Sequence, residues 1–259
     1  HAYRHIGHHQ ADLDPLGLAA REKEPRLQLD YYGLSNADLN TEFATRHVLK
    51  APTAALKDIV SHLDAVYCQT VGIEFTHVTN HDEHSWLERY FEQTFTQAPI
   101  STDRKITVLK DLLASNGLEH HLSVKFPGVK RFSIEGVDAL VPAMNAITLH
   151  ARQNDMKEVV MCMAHRGRLA TLVNCAGKPS GELFAEFSGK HEYSNTTGDV
   201  KYHLGYSADI KTTAGAIHVS MLFNPSHLDY IDPVLLGSVR GRQDRYAESQ
   251  EKSQYAIGV

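Results

Sequence analysis

The segment EVVMCMA, residues 158–164, constrains the fold more than any other stretch of this chain. It is a continuous apolar run of strand length, and it ends abruptly in His165-Arg166-Gly167-Arg168. A strand with one wet face would alternate apolar and polar residues. One apolar throughout must be covered on both faces, as in a parallel sheet flanked by helices. LATLVNCAG follows and reads as a helix, with Gly177 just past its end. AIHVSMLF, residues 216–223, is a second strand candidate, running into Asn224-Pro225-Ser226-His227. Strand, loop, helix, strand predicts an α/β fold.

Upstream, VDALVPAMNAITLHAR reads as a helix, preceded by KFPGVKRFSIEG with the breakers Pro127, Gly128 and Gly136. Before Lys125 the character differs. The polar stretch 35–49 offers helix starts at Ser35, Asn36 and Asp38. From Thr53, Leu56, Ile59, Val60, Leu63, Val66 and Tyr67 recur at helical spacing. HDEHSWLERYFEQTF carries Trp86, Leu87, Tyr90, Phe91 and Phe95 on one stripe. TDRKITVLKDLLASNGLEHHL predicts a third helix, stopping near Gly117 in a left-handed cap. Three such helices can pack as a small bundle. In the opening HAYRHIGHHQ, the stretch Gly7-His8-His9-Gln10 reads as too polar for a core. The expected organisation is a helical region over 1–124 and an incomplete α/β domain over 125–259. With 259 residues, 42% of them hydrophobic, the chain can bury that much core.

Charge and cysteine content narrow the function classes. A formal net charge of -5 argues against a dedicated nucleic-acid binder. Three scattered cysteines, Cys68, Cys162 and Cys175, suit neither a disulfide framework nor a zinc site and read as buried small hydrophobes in a reducing compartment. No apolar run approaches the roughly 18 residues that span a bilayer, and residues 1–10 carry no signal core. The chain starts at His1 and ends in QYAIGV, so both ends are expected to be cut from a longer sequence.

In open α/β sheets, ligands sit beyond the carboxyl ends of the strands. Both strong strand candidates deliver a histidine there, in HRGR and in NPSH. Imidazoles and a guanidinium at one edge suit an anionic substrate or a phosphate. The plainer alternative makes Arg166 and Arg168 surface residues at a helix start and His227 a turn cap. GDVKYHLGYS, residues 198–207, places His203 between the strands, in an ordered loop or a solvated one. The chain has no phosphate-loop, dinucleotide, zinc-protease or nucleophile-elbow motif. His81 and His84 share a helical face but want a third ligand for a metal, and no metal ligand is assigned.

Taken together, AYRHIGHHQADLDPLGL, KFPGVKRFSIEGVDALVPAM, MAHRGRLATLVN, GDVKYHLGYS and FNPSHLDYIDPVLLGSVRGRQDR resemble one family in its own order. It is the thiamine diphosphate-dependent dehydrogenase component of the 2-oxoglutarate dehydrogenase complex. The resemblance runs from about residue 2 to 245, and the relative acting on 2-oxoadipate shares these motifs. It implies a helical N-terminal region, then part of the parallel-sheet domain that binds the cofactor's diphosphate. It places Arg166 at the diphosphate and His165 at the reacting 2-oxo acid, with His203 and His227 completing a catalytic histidine pocket. It implies decarboxylation of 2-oxoglutarate in the tricarboxylic acid cycle and transfer of the succinyl group to a lipoyl-bearing succinyltransferase. It also implies a homodimer, in bacterial cytoplasm or the mitochondrial matrix. The family's magnesium-binding Gly-Asp and Asn, and the glutamate of its second domain, are not found here. They are expected beyond Val259, so the chain alone is expected to be inactive. Gly198-Asp199 lacks the following Asn and is no substitute. The alternatives are a non-catalytic binding or assembly module and a small histidine metalloprotein.

Overall fold

The computed structural model describes residues 1–95, 100–190, 201–224, 227–245 and 254–258, the last five as backbone alone. The chain divides into two compact units, His1–Pro99 and Ile100–Val259.

The first unit is helical, with one small hairpin. Helix α1 (Ala2–Gln10) is followed by strands β1 (Glu42–Ala44) and β2 (Thr53–Ala55), which pair antiparallel, then by α2 (Leu56–Tyr67) and α3 (His81–Tyr90). The opening residues form a helix, and Gly7, in a stretch that reads as too polar for a core, is buried. Ala2, Tyr3 and Ile6 pack onto the core of Leu27, Val66, Tyr67, Ile73 and Phe75. Gly7 lets the two helices touch, since a Cβ there would lie 2.6 Å from Tyr67 Cβ. Helix α3 starts at Asn80, whose Oδ1 accepts from the N–H groups of Asp82 and Glu83, which caps two of the helix's orphan donors. After Tyr90 the helix widens into a π turn, Phe91–Phe95. There Glu92 is buried, accepting from Arg4 Nε at 2.6 Å, Arg4 Nη2 at 2.8 Å and Tyr67 Oη at 2.8 Å.

The second unit is the sheet domain. Its elements are α4 (Thr102–Lys125), α5 (Leu140–Gln153), β3 (Glu158–Cys162), α6 (Arg168–Asn174), α7 (Ser180–Phe187), β4 (Tyr206–Thr212), β5 (Gly215–Met221), α8 (Ile231–Arg245) and β6 (Gln254–Gly258). Helix α4 does not stop at Gly117. It runs on to Lys125 and buries Leu118 and Leu122 against Val141, Met144 and the sheet. Packing of those two leucines outweighs a glycine penalty of about 1 kcal/mol. For the same reason α4 belongs to the core of this second unit.

The strand order is β4-β5-β3-β6. Strand β3 pairs parallel with β5 on one side, Glu158 opposite His218, and with β6 on the other, Glu158 opposite Gln254. Along β3 and just past it, Val159, Met161 and Met163 join one core with α4, α5 and α6. Val160 and Cys162 face the other way, onto Ile231, Leu235 and Val239 of α8. Both faces are covered, which is why the strand is apolar throughout. Full burial of Val159, Val160 and Met161 contributes about 1.5–3 kcal/mol each. The antiparallel edge strand β4, opposite β5, is among the elements not read from the sequence, with α7 and α8. The fold is α/β, with a mixed four-stranded sheet.

Candidate active site

The functional side chains gather where the parallel strands end. Past Cys162 the chain turns at Gly167, which has φ +76°. A Cβ at that position would lie 2.9 Å from Ile134 Cγ1. The Gly167 N–H donates to the carbonyl of Phe132 at 2.7 Å. Only glycine fits both constraints. The turn sets His165 against the loop before β4, where His165 Nε2 and His203 Nε2 approach to 2.9 Å. A hydrogen bond between two Nε2 atoms needs one imidazole to present N–H and the other a lone pair, so the neutral pair holds opposite tautomers.

Aromatic rings wall the pair. Phe132 stacks on His165 with centroids 5.1 Å apart, and Tyr202 stands edge-on to Phe132 at 5.0 Å. Lys130 Nζ lies 4.9 Å above the Phe132 ring. Burial, then the charges of His203, Arg168 and Lys130, hold the His165 pKa below the ordinary histidine value. Those three neighbours are all potentially cationic, so the imidazole sits in a positive field.

Arg168 builds the floor. It is wholly buried, and its guanidinium donates to main-chain carbonyls only. Nη1 reaches Met163 at 3.2 Å, Nε and Nη2 reach Leu204 at 3.2 and 2.9 Å, and Nη2 also reaches Leu222. One side chain thus fastens the end of β3, the His203 loop and the end of β5. Desolvation pushes its pKa down to about 10. Gly205 seals the junction, since a Cβ there would lie 2.5 Å from the Met221 carbonyl. Asn224, three residues past β5, donates its backbone N–H to the His203 carbonyl at 3.2 Å. Its side chain is buried, and neither Oδ1 nor Nδ2 has a hydrogen-bond partner. Leaving such a group unsatisfied costs about 1–3 kcal/mol.

Of the residues singled out from sequence, His165 and His203 are brought together. Arg166 is exposed and donates from Nη1 to the Ser133 carbonyl at 3.3 Å. His227 is exposed, and its ring contact is with Tyr230, centroids 6.5 Å apart. Gly198, Asp199, Pro225 and Ser226 lie outside the described residues. Sequence reasoning missed the roles of Arg168, Asn224 and Phe132. Helical periodicity could have flagged the first, because Arg168 shares an inward face with Thr171 and Leu172. All three cysteines are free and buried. Among the described residues no cluster of three or more His, Cys, Asp or Glu could hold a metal ion, and no helix is long and apolar enough to cross a membrane.

Sheet and site together define an α/β protein with a histidine pair and a buried arginine at its strand ends, in a field suited to an anionic ligand. No protein-family model matches the chain. It is 43% identical over 257 residues to the 2-oxoglutarate dehydrogenase E1 component of Coxiella burnetii, covering 99% of this chain and 27% of that protein. The proteins of the same name from Azotobacter vinelandii and Haemophilus influenzae are 42% and 41% identical, each across 100% of this chain and 28% of their own length. The chain matches 2-oxoglutarate dehydrogenase E1 components along its whole length and spans about a quarter of the length of these relatives.

Proposed function

We propose that this chain forms the first part of a 2-oxoglutarate dehydrogenase site, its sheet being part of a thiamine diphosphate-binding domain. The observation that carries the reading is the His165–His203 pair, 2.9 Å apart at the strand ends and surrounded by cationic groups. The donor set fits the cofactor's anionic diphosphate: Arg166 is exposed at this edge, Arg168 has no carboxylate among its partners, and the Asn224 carboxamide is unpartnered. When bound, thiamine diphosphate with its magnesium supplies a nucleophilic carbon that makes loss of carbon dioxide from a 2-oxo acid feasible. The magnesium ligands are proposed to come from sequence outside this chain.

The chain's own residues orient and protonate. The histidine pair offers one N–H to a substrate oxygen where negative charge develops. The second imidazole orients that N–H by sharing the Nε2–Nε2 hydrogen bond. Phe132 and Tyr202 limit water at His165. Arg166 is proposed to hold the diphosphate, and His227 to join the catalytic set from beyond β5. The product group passes to the lipoyl arm of a succinyltransferase, from a homodimer working in bacterial cytoplasm or mitochondrial matrix.

The test is decarboxylation of 2-oxoglutarate by the native gene product carrying single substitutions. His165→Ala and His203→Ala should each lower turnover by roughly tenfold to a thousandfold, with His227→Ala as the third variant. Wild-type turnover in the first two would remove the proposed chemistry.

A further inference from the structure

The buried side-chain amide of Asn224 has no place in that reading beyond general fit. It lies three residues past β5, on the loop whose backbone N–H is bonded to the His203 carbonyl. Its position is therefore fixed relative to the histidine pair. The residue is 2% exposed, yet Oδ1 and Nδ2 both lack a partner. Such an amide is costly to bury and uncommon in a settled core, where most buried polar groups find partners. A leucine, with the same number of side-chain heavy atoms and no polar group, would suit a purely structural site better. Arg168 reaches the Leu222 carbonyl two residues earlier, so the strand end is already secured without the Asn224 side chain.

We propose that Asn224 is a ligand-contacting residue of this site, its Nδ2 donating to an oxygen of a phosphate or carboxylate group. An amide adds direction without adding charge to a site that already holds Arg168 and the two histidines. It prefers a group that accepts hydrogen bonds, and its own dipole cannot be titrated away. The inference rests on the site being a thiamine diphosphate and 2-oxo acid site. The oxygen belongs either to the cofactor's diphosphate or to the substrate's carboxylate.

Binding separates the two sources. The native gene product is titrated by calorimetry with thiamine diphosphate plus magnesium, with inorganic pyrophosphate, and with 2-oxoglutarate. Asn224→Leu should weaken either the two phosphate probes together or 2-oxoglutarate alone, by about 10–100-fold. The thermal midpoint without ligand should stay level or rise, because an unsatisfied amide has been removed. Asn224→Asp should weaken the same probe further at pH 7.5 and recover part of the loss at pH 5.5, where the carboxyl regains a proton. Unchanged affinity for all three probes in Asn224→Leu overturns the inference. So does a fall in the unliganded midpoint with equal weakening of every probe, which marks a structural role. If the unsubstituted protein binds neither thiamine diphosphate nor 2-oxoglutarate, the proposed function fails first.

Discussion

Each unit of this protein buries charged side chains, and Glu92 of the first and Arg168 of the second are treated differently. In the first, Glu92 meets Arg4 through two hydrogen bonds and Tyr67 through a third. Arg4 also lies 3.2 Å from Glu88. Its pKa is raised, first by the hydrogen bond to Glu92, and the Tyr67 hydroxyl is pushed far up by burial beside the same carboxylate. That network is closed: charge meets charge, and the donors end there. In the second unit Arg168 meets carbonyl oxygens alone, its pKa moves down instead of up, and two imidazoles and an unpartnered amide stand close by. A closed network holds helices together. An open one has capacity left for a ligand. The direction of the two arginine shifts records the difference, since a carboxylate partner favours the cation and desolvation alone disfavours it.

The largest expected effect tests the closed network. Glu92→Gln removes one partner of a buried pair and leaves Arg4 to the half-exposed Glu88. The first unit should lose about 3 kcal/mol, seen as faster amide exchange in α1 and α2 while β3 and β5 keep their protection. Equal loosening of both units, or no change, would break the contrast.

Arg168→Met comes next, at about 2 kcal/mol. Three carbonyls lose their donors, each worth about 1–3 kcal/mol when left unsatisfied, and release of a desolvated charge offsets part of that. Arg168→Lys should fall between methionine and wild type, because an ammonium cannot span two strand ends and the His203 loop. The methionine variant should also let His165 titrate at higher pH, measurable by imidazole proton NMR. A stable variant with unmoved His165 would mean that Arg168 neither fastens the loop nor shapes the field.

Legibility followed the range of the interactions. Strands β3 and β5, and helices α2, α3, α5 and α6, were readable because their burial pattern repeats within a few residues. The Ser35 cap was readable too: Asp38 lies three positions on and completes a capping box. Helix α1 was not, since its polar sequence is held by Gly7 lying against Tyr67, 60 positions away in sequence. The end of α4 was misjudged because Gly117 is a local signal and the burial of Leu122 is not. At the site, His165 and His227 could be assigned to one edge from their strands, while His203 could be placed only in the loop between them. The pairing of His165 with His203 and the carbonyl contacts of Arg168, which reach 36 and 54 positions along the chain, depend on tertiary structure.

The smallest effect expected is the pH dependence of the histidine pair, and it sharpens the contrast most directly. His165 has a folded-state pKa below its unfolded value, because burial and the neighbouring His203, Arg168 and Lys130 oppose its cation. The unfolded chain therefore takes up this proton first as pH falls. Above the ordinary histidine value, near 6.5, the residue is neutral in both states and stability is unaffected. Below it, stability should decline until pH passes the folded value, after which the loss is complete. Amide exchange in β3 and β5 between pH 7.5 and 5 should show this extra loss, and His165→Gln should remove it, whereas the Glu92 network of the first unit should respond equally in both proteins. Adding inorganic pyrophosphate should shrink the acid loss in the wild type, since an anion favours the imidazolium that the empty positive field resists. Were His165→Gln to lose stability with pH as steeply as wild type, the surroundings would not oppose the His165 cation, and the open network would have to be read as a structural one.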